Sequence, residues 1–108
     1  MAETGKPMIA HMVYFTLKDN SAEAIEKLLA SCRQHLTGHP GTAFFAVGTR
    51  TPDLLRDVND QEFHVGLHVV FQDRAAHDTY QSHPRHLQFI AENKPTWAKV
   101  RVFDADVS

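Results

Sequence analysis

The segment Met8 to Leu17 (MIAHMVYFTL) constrains the fold of this chain more than any other. It is a nearly continuous apolar run containing Val, Tyr and Phe, bounded by Pro7 and by Lys18-Asp19-Asn20, and it reads as a β-strand. In a strand, alternate side chains face opposite ways. Ile9, His11, Val13, Phe15 and Leu17 therefore form one row, and Met8, Ala10, Met12, Tyr14 and Thr16 the other. Both rows are largely apolar. An antiparallel strand with one wet face alternates apolar and polar residues, so this strand is expected to be covered on both sides.

The remaining elements follow from periodicity and breakers. Asn20 caps a helix with Glu23 three residues on, and Ile25, Leu28, Leu29, Cys32 and Leu36 keep helical spacing. Gly38-His39-Pro40-Gly41 stops it. Thr42 to Thr51 reads as a second strand. A polar connection then runs to about Gln61, with only Leu54 and Leu55 hinting at a turn of helix. Phe63 to Phe71 is a third strand, with Phe63, Val65, Leu67, Val69 and Phe71 on one face and His64, Gly66, His68 and Val70 on the other. Asp73 caps a helix reaching His83, Pro84 to Asn93 continues it after a kink, Lys94-Pro95 breaks it, and Ala98 to Ala105 is the last strand. The order is strand, helix, strand, strand, helix, strand. It predicts an α+β, ferredoxin-like βαββαβ fold with a four-stranded antiparallel sheet and both helices on one face. The expected boundaries are a loose tail over 1–7 and one domain over 8–106. Since the helices cover one sheet face, a second copy of the chain is the expected cover for the other.

At 108 residues the chain makes a single domain. A net charge of −2 without a basic run argues against nucleic acid as a partner. No apolar run reaches the ~18 residues of a membrane span, and Met1 to Lys6 lacks the apolar core of a signal peptide. The lone Cys32 excludes an internal disulfide and fits a reducing cytoplasm. Helical spacing makes it a core residue. There are eight histidines; protonating all of them would take the net charge from −2 to +6 (−2 + 8), so association should depend on pH near neutrality.

Chemistry concentrates in Tyr80-Gln81-Ser82-His83-Pro84-Arg85-His86. Proline ends the helix before it and suits the first turn of the next. Tyr80 and His83, three apart, share a helix face, and His86 opens the second helix. A polar corner in solvent would explain the same residues. His83-x-x-His86 also has workable spacing for a metal, but no carboxylate lies at a matching interval, so no metal is expected. His64 and His68 lie four residues apart on one strand, ~13 Å, too far to chelate together. His35, His39 and His77 are expected to face solvent, and Trp97 to anchor packing beside the last strand.

Taken together, His11 within HMVYFTLK, the Phe71-x-Asp73 strand-to-helix junction, the Tyr80-x-x-His83-Pro84-x-His86 corner and Phe103-Asp104 resemble the stress-responsive A/B barrel family, also called dimeric α+β barrel domains. The resemblance runs from about residue 8 to residue 106. It implies a homodimer whose two sheets form a barrel with helices outside, and, in the family's polyketide cyclases, a cavity between sheet and helices. Carried over by position, His86 is the acid/base residue and Tyr80 the phenol, supported by His11 and Asp104. His83, Val65, Leu67, Phe89 and Ile90 are the expected ligand contacts. A further cyclase histidine falls on Val65 here, while the neighbouring His64 should face the other way. This departure bears on the cyclase activity rather than on the cavity.

A His–Tyr pair suits enolisation and intramolecular aldol or Claisen steps: imidazole can take a proton, and a phenol can donate to a developing oxyanion. Asp104, reaching a ring nitrogen, would fix a tautomer. The chemistry calls for no cofactor. Two classes of function are expected: first, a cytoplasmic stress-associated homodimer that binds a small apolar or carbonyl-containing molecule; second, a cofactor-independent cyclase, lyase or isomerase. A monooxygenase of the same broad superfamily is a weaker third.

Overall fold

A computed structural model describes residues 7–108; the tail expected over 1–7 lies, apart from Pro7, outside the described residues. Strand β1 (Met8–Leu17) is followed by α1 (Ala22–His35), β2 (Thr42–Thr49), β3 (Val65–Phe71), α2 (Arg74–Ser82), α3 (Pro84–Asn93), a short 3-10 turn (Lys94–Thr96) and β4 (Trp97–Val107). The four strands form one antiparallel sheet in the order β2-β3-β1-β4. This is the ferredoxin-like arrangement, with β1 and β3 central as their apolar rows require.

The row Ile9, His11, Val13, Phe15, Leu17 is buried throughout, as is Val65, Leu67, Val69, Phe71 of β3. These rows meet Leu28, Leu29, Cys32 and Leu36 of α1 and the following turn, with Tyr80 and Phe89 from the other helices, in a single core. Burial pushes the Cys32 thiol up to about 12, so this residue is packing rather than a nucleophile.

Local chemistry moves several boundaries. Ser21, not Asn20, caps α1: its hydroxyl accepts from the Ala24 N–H at 3.1 Å. Asp19 in turn holds the Ser21 N–H at 2.9 Å. Asp73 caps α2 through the Ala76 N–H at 2.8 Å. Gly41 lies at φ +82, and a Cβ there would sit 2.4 Å from Cβ of Ala76, so only glycine lets β2 begin beneath α2. Strand β2 ends at Thr49 instead of Thr51, and β3 starts at Val65 instead of Phe63. Residues 50–64 are turns and bends, and Leu54 and Leu55 form no helix.

That connection folds back across one end of the outer sheet face. Arg101 Nη1 donates to Asp60 at 2.6 Å, Lys99 Nζ reaches Glu62 at 3.4 Å, and the Thr16 hydroxyl donates to the Glu62 carbonyl at 2.5 Å. The chain thus supplies part of the second cover itself, where a second copy was the expected cover. Even so, the molecule is a slab of 45 × 36 × 17 Å, one sheet and one helix layer thick. Its radius of gyration of 14.7 Å exceeds the ~13 Å of a compact chain this long. Among the described residues no helix is long and apolar enough to cross a membrane.

Candidate functional site

Between the sheet and the helix layer lies a cavity of about 170 Å3. Its walls are mainly apolar, with Phe15, Leu67, Phe89, Ile90 and Trp97 among them, and His11, Tyr80, Gln81 and His86 are its polar groups. Its β4 side is formed by Val100 and Val102, half-exposed residues on the inner face of an edge strand that no helix covers.

The corner places two of these groups. Pro84 stands at the first position of α3, where its missing N–H costs nothing. His83 at the junction is both the last cap of α2 and the first of α3, in extended conformation at φ −66, ψ 138. Its Nδ1 accepts from the Arg85 N–H at 3.1 Å. This turn swings His86 inward. His86 is 8% exposed, its Nδ1–H donates to the Gln81 carbonyl at 3.1 Å, and its ring lies 4.6 Å from that of Tyr80, tilted 53°. The two side chains pack ring on ring, and no hydrogen bond joins them.

Burial governs both groups. It lowers the His86 pKa to about 4, the hydrogen bond to Gln81 offsetting part of the effect and the neighbouring His11, His39 and His77 adding to it. His86 is therefore neutral at pH 7. Burial likewise pushes the Tyr80 phenol well above its usual value, so it remains a proton donor. The second polar unit comes from strand register: His11 of β1 stands opposite Asp104 of β4, and its Nδ1–H donates to Asp104 Oδ1 at 2.5 Å. The His11 ring also meets Tyr80 edge-on at 6.0 Å.

Of the residues anticipated for the site, His86, Tyr80, His11, Leu67, Phe89 and Ile90 line the cavity, and Asp104 reaches it through His11. His83 and Val65 do not. His83 is spent on capping, and Val65 is wholly buried beside Phe15 of β1 in the sheet. Three histidines expected in solvent are not there. His35 is buried against α3, with Nε2 3.3 Å from Glu92. His39 is buried under the corner, donating from Nε2 to the His35 carbonyl at 2.8 Å and meeting Tyr80 edge-on at 4.9 Å. His77 keeps a side chain only 15% exposed and stands 5.4 Å from His11, ring to ring. Its spacing of three before Tyr80 already put it on the inward helix face, a signal that its polarity masked. Trp97 packs against Phe15 at 5.0 Å as an anchor.

The outer sheet face carries a second, shallower hollow of about 410 Å3 bordered by Tyr14, Arg50, Phe63 and His68. Tyr14 and His68 share a hydrogen bond of 3.2 Å there. Phe44 and Phe103 on the same face are 54% and 53% exposed.

No curated protein matches the chain in sequence. Among solved structures it is similar to a Dabb family protein with a ferredoxin-like fold from Mesorhizobium loti, with 26% identity, a TM-score of 0.77, and coverage of 93% of this chain and 96% of that one. A hydroxynitrile lyase from Passiflora edulis shares the fold at 21% identity and a TM-score of 0.76, covering 96% of both chains. A dimeric ferredoxin-like protein of unknown function from Thermobifida fusca does so at 17% identity and a TM-score of 0.79, covering 94% of this chain and 92% of that one. The sequence pattern of the Stress Responsive A/B Barrel Domain matches residues 9–107, which is almost all of the strand, helix and corner framework built above, and the chain belongs to that family.

Proposed function

We propose that this protein is a homodimer that binds a small apolar or carbonyl-containing molecule in the cavity between sheet and helices. The observation that carries the binding role is the cavity's composition: an apolar lining with a neutral imidazole, a protonated phenol and the His11–Asp104 pair at it. Such a pocket desolvates an apolar body and offers few, oriented polar partners to one functional group. At about 170 Å3 it is smaller than the ~300 Å3 where drug-sized sites begin, so the ligand is small. The protonated Tyr80 is a donor for a carbonyl oxygen.

The uncovered outer face supports the dimer. On it Phe44 pairs with Val70 across β2 and β3, and Met12 with Phe103 across β1 and β4. Several proteins of the same fold are described as dimeric. Pairing two such faces would bury an area of the ~1,600 Å2 typical of stable interfaces.

The binding role is tested by titrating EDTA-treated protein with small ketones and aromatic aldehydes while recording amide and methyl NMR spectra. Saturable shifts at Leu67, Phe89 and Ile90 that vanish in a Leu67→Trp variant, which fills the cavity, are expected. Shifts absent at millimolar ligand, or unchanged in that variant, would sink the proposal.

A second reading has one observation in its favour. Burial keeps Tyr80 protonated and His86 unprotonated, the states a cofactor-independent lyase, cyclase or isomerase needs in a proton donor and a base. A pKa of about 4 nevertheless makes His86 a weak proton acceptor at neutral pH, and so binding stands first. Deuterium exchange at the α-carbon of a bound ketone, lost in His86→Gln, is the expected mark of catalysis; exchange at the buffer rate would leave binding alone.

A further inference from the structure

We propose that His11, His77 and Asp104 form a binding site for a divalent first-row transition ion, with zinc as the reference case. The three come from β1, α2 and β4, and one ligand atom from each lies within 4.8 Å of the others. Among the described residues this is where three potential ligands of that kind converge. Two imidazoles and one carboxylate suit zinc and its neighbours in the first row, whereas magnesium and calcium take oxygen ligands.

The surroundings fit a site that holds an ion while leaving a position free. His77 Nδ1 is 2.9 Å from Asp78 Oδ1, and Asp78 is held in turn by Arg74 Nε at 2.8 Å. The carboxylate fixes the proton of His77 on Nδ1 and leaves the lone pair on Nε2, which accepts from the Gln81 amide at 3.4 Å, a long contact that an ion would displace. Arg74, which borders the site, is the cation an arriving ion must compete with, and its guanidinium is directed to Asp78. A surface cavity of about 240 Å3, lined by Ile9, Arg74, His77, Asp104, Ala105 and Asp106, gives an ion access and room for water as a further ligand. Asp106, two residues beyond Asp104 on the same strand face, adds negative charge to it.

Little movement is needed. Ligands around a tetrahedral zinc lie ~3.4 Å apart at metal–ligand distances near 2.1 Å. Asp104, half-exposed at the edge strand, must back away from its 2.5 Å contact with His11, and His77 must close by roughly an ångström. Ligation at His11 Nδ1 requires its proton to move to Nε2, so loading switches the His11 tautomer. The site shares His11 and Asp104 with the proposed ligand cavity but stands apart from that proposal. Fragment binding is measured without metal and ion binding without fragment, so either result leaves the other open.

The test uses the full chain, stripped with EDTA and titrated with cobalt(II), whose visible absorption reports coordination, followed by displacement with zinc. One equivalent per chain is expected, together with a His11 tautomer switch in 15N-detected histidine spectra. His77→Ala and Asp104→Asn should each abolish the cobalt spectrum, and Asp78→Asn should weaken binding ~10–100-fold. His68→Gln, on the opposite sheet face, should leave it unchanged. Melting curves verify that these variants fold. An absent cobalt spectrum at millimolar ion would overturn the proposal, as would one retained in His77→Ala or lost equally in His68→Gln.

Discussion

The two faces of the sheet are built from the same strands and yet end differently. On the inner face Phe15, Val65, Val69 and Phe71 are almost wholly buried beneath the helix layer. On the outer face Phe44 and Phe103 remain half-exposed, with only the 50–64 connection reaching over one end. The apolar content of the rows does not separate them, since β1 is apolar on both sides. What separates them is the supply of covering elements within the chain. The polar groups sort the same way. Histidines under the helices are desolvated or hydrogen-bonded to backbone, as His86 and His39 are, while Tyr14 and His68 outside have only each other.

Four measurements would break or sharpen this contrast. The largest effect is expected from Phe71→Ala on the inner face. Phe71 is fully buried, 4.8 Å from the Tyr80 ring, and its loss should cost about 3–5 kcal/mol in denaturant unfolding. A cost below ~1 kcal/mol would mean the inner face is loosely packed.

Next, Phe103→Asp on the outer face should leave the fold intact while weakening self-association by about 2 kcal/mol or more, roughly thirtyfold in Kd. Light scattering should move from two chain masses to one. If the wild-type chain is monomeric at about 10 μM, or the variant remains dimeric, the outer face is not the interface.

Acid provides the third measurement. The folded pKa of His86 is lowered to about 4 from an ordinary 6.5, so the unfolded chain binds the extra proton first. Stability is thus full above about pH 6.5 and falls as the pH drops toward 4. The contribution lost by pH 5 is about 2 kcal/mol, and His39, also lowered by burial, acts in the same direction. His86→Gln should flatten the pH dependence between 6.5 and 4. An unchanged slope would assign acid sensitivity elsewhere.

The smallest effect is expected at the corner. Pro84 occupies a position whose N–H would be unpaired anyway, so Pro84→Ala should cost about 1 kcal/mol or less, chiefly through the freedom it gives the unfolded chain. Retained His86 shifts in that variant would show that packing beneath α3, rather than the proline, directs the imidazole inward.

How far the sequence could be read depended on distance along the chain. The element order, the two-sided burial of β1, the alternation of β3, the Asp73 cap and the break at Pro84 were all legible, because periodicities of two and 3.6 residues and the chemistry of caps act between near neighbours. That the corner points His86 at the sheet was implied by the family resemblance, since spacing alone equally allowed a polar corner in solvent. Its contact with Tyr80 through ring faces, with the hydrogen bond going instead to Gln81, was not, because side-chain packing depends on what lies opposite. Ser21 rather than Asn20 caps α1 because its hydroxyl is the group within reach of the Ala24 N–H. The polarity of His35, His39 and His77 points to solvent, but once α1, α2 and α3 lie on the sheet His35 meets Glu92, His39 meets Tyr80 and His77 meets His11.

By itself, then, the sequence determined which segments are strands and helices, that β1 needs cover on both sides, and that the helices reach only one sheet face. Only the tertiary structure decided that His11 meets Asp104, 93 residues away, and that His77 joins them. Strand register and helix seating settle such meetings, since a shift of one residue in β4 would turn Asp104 to the other face.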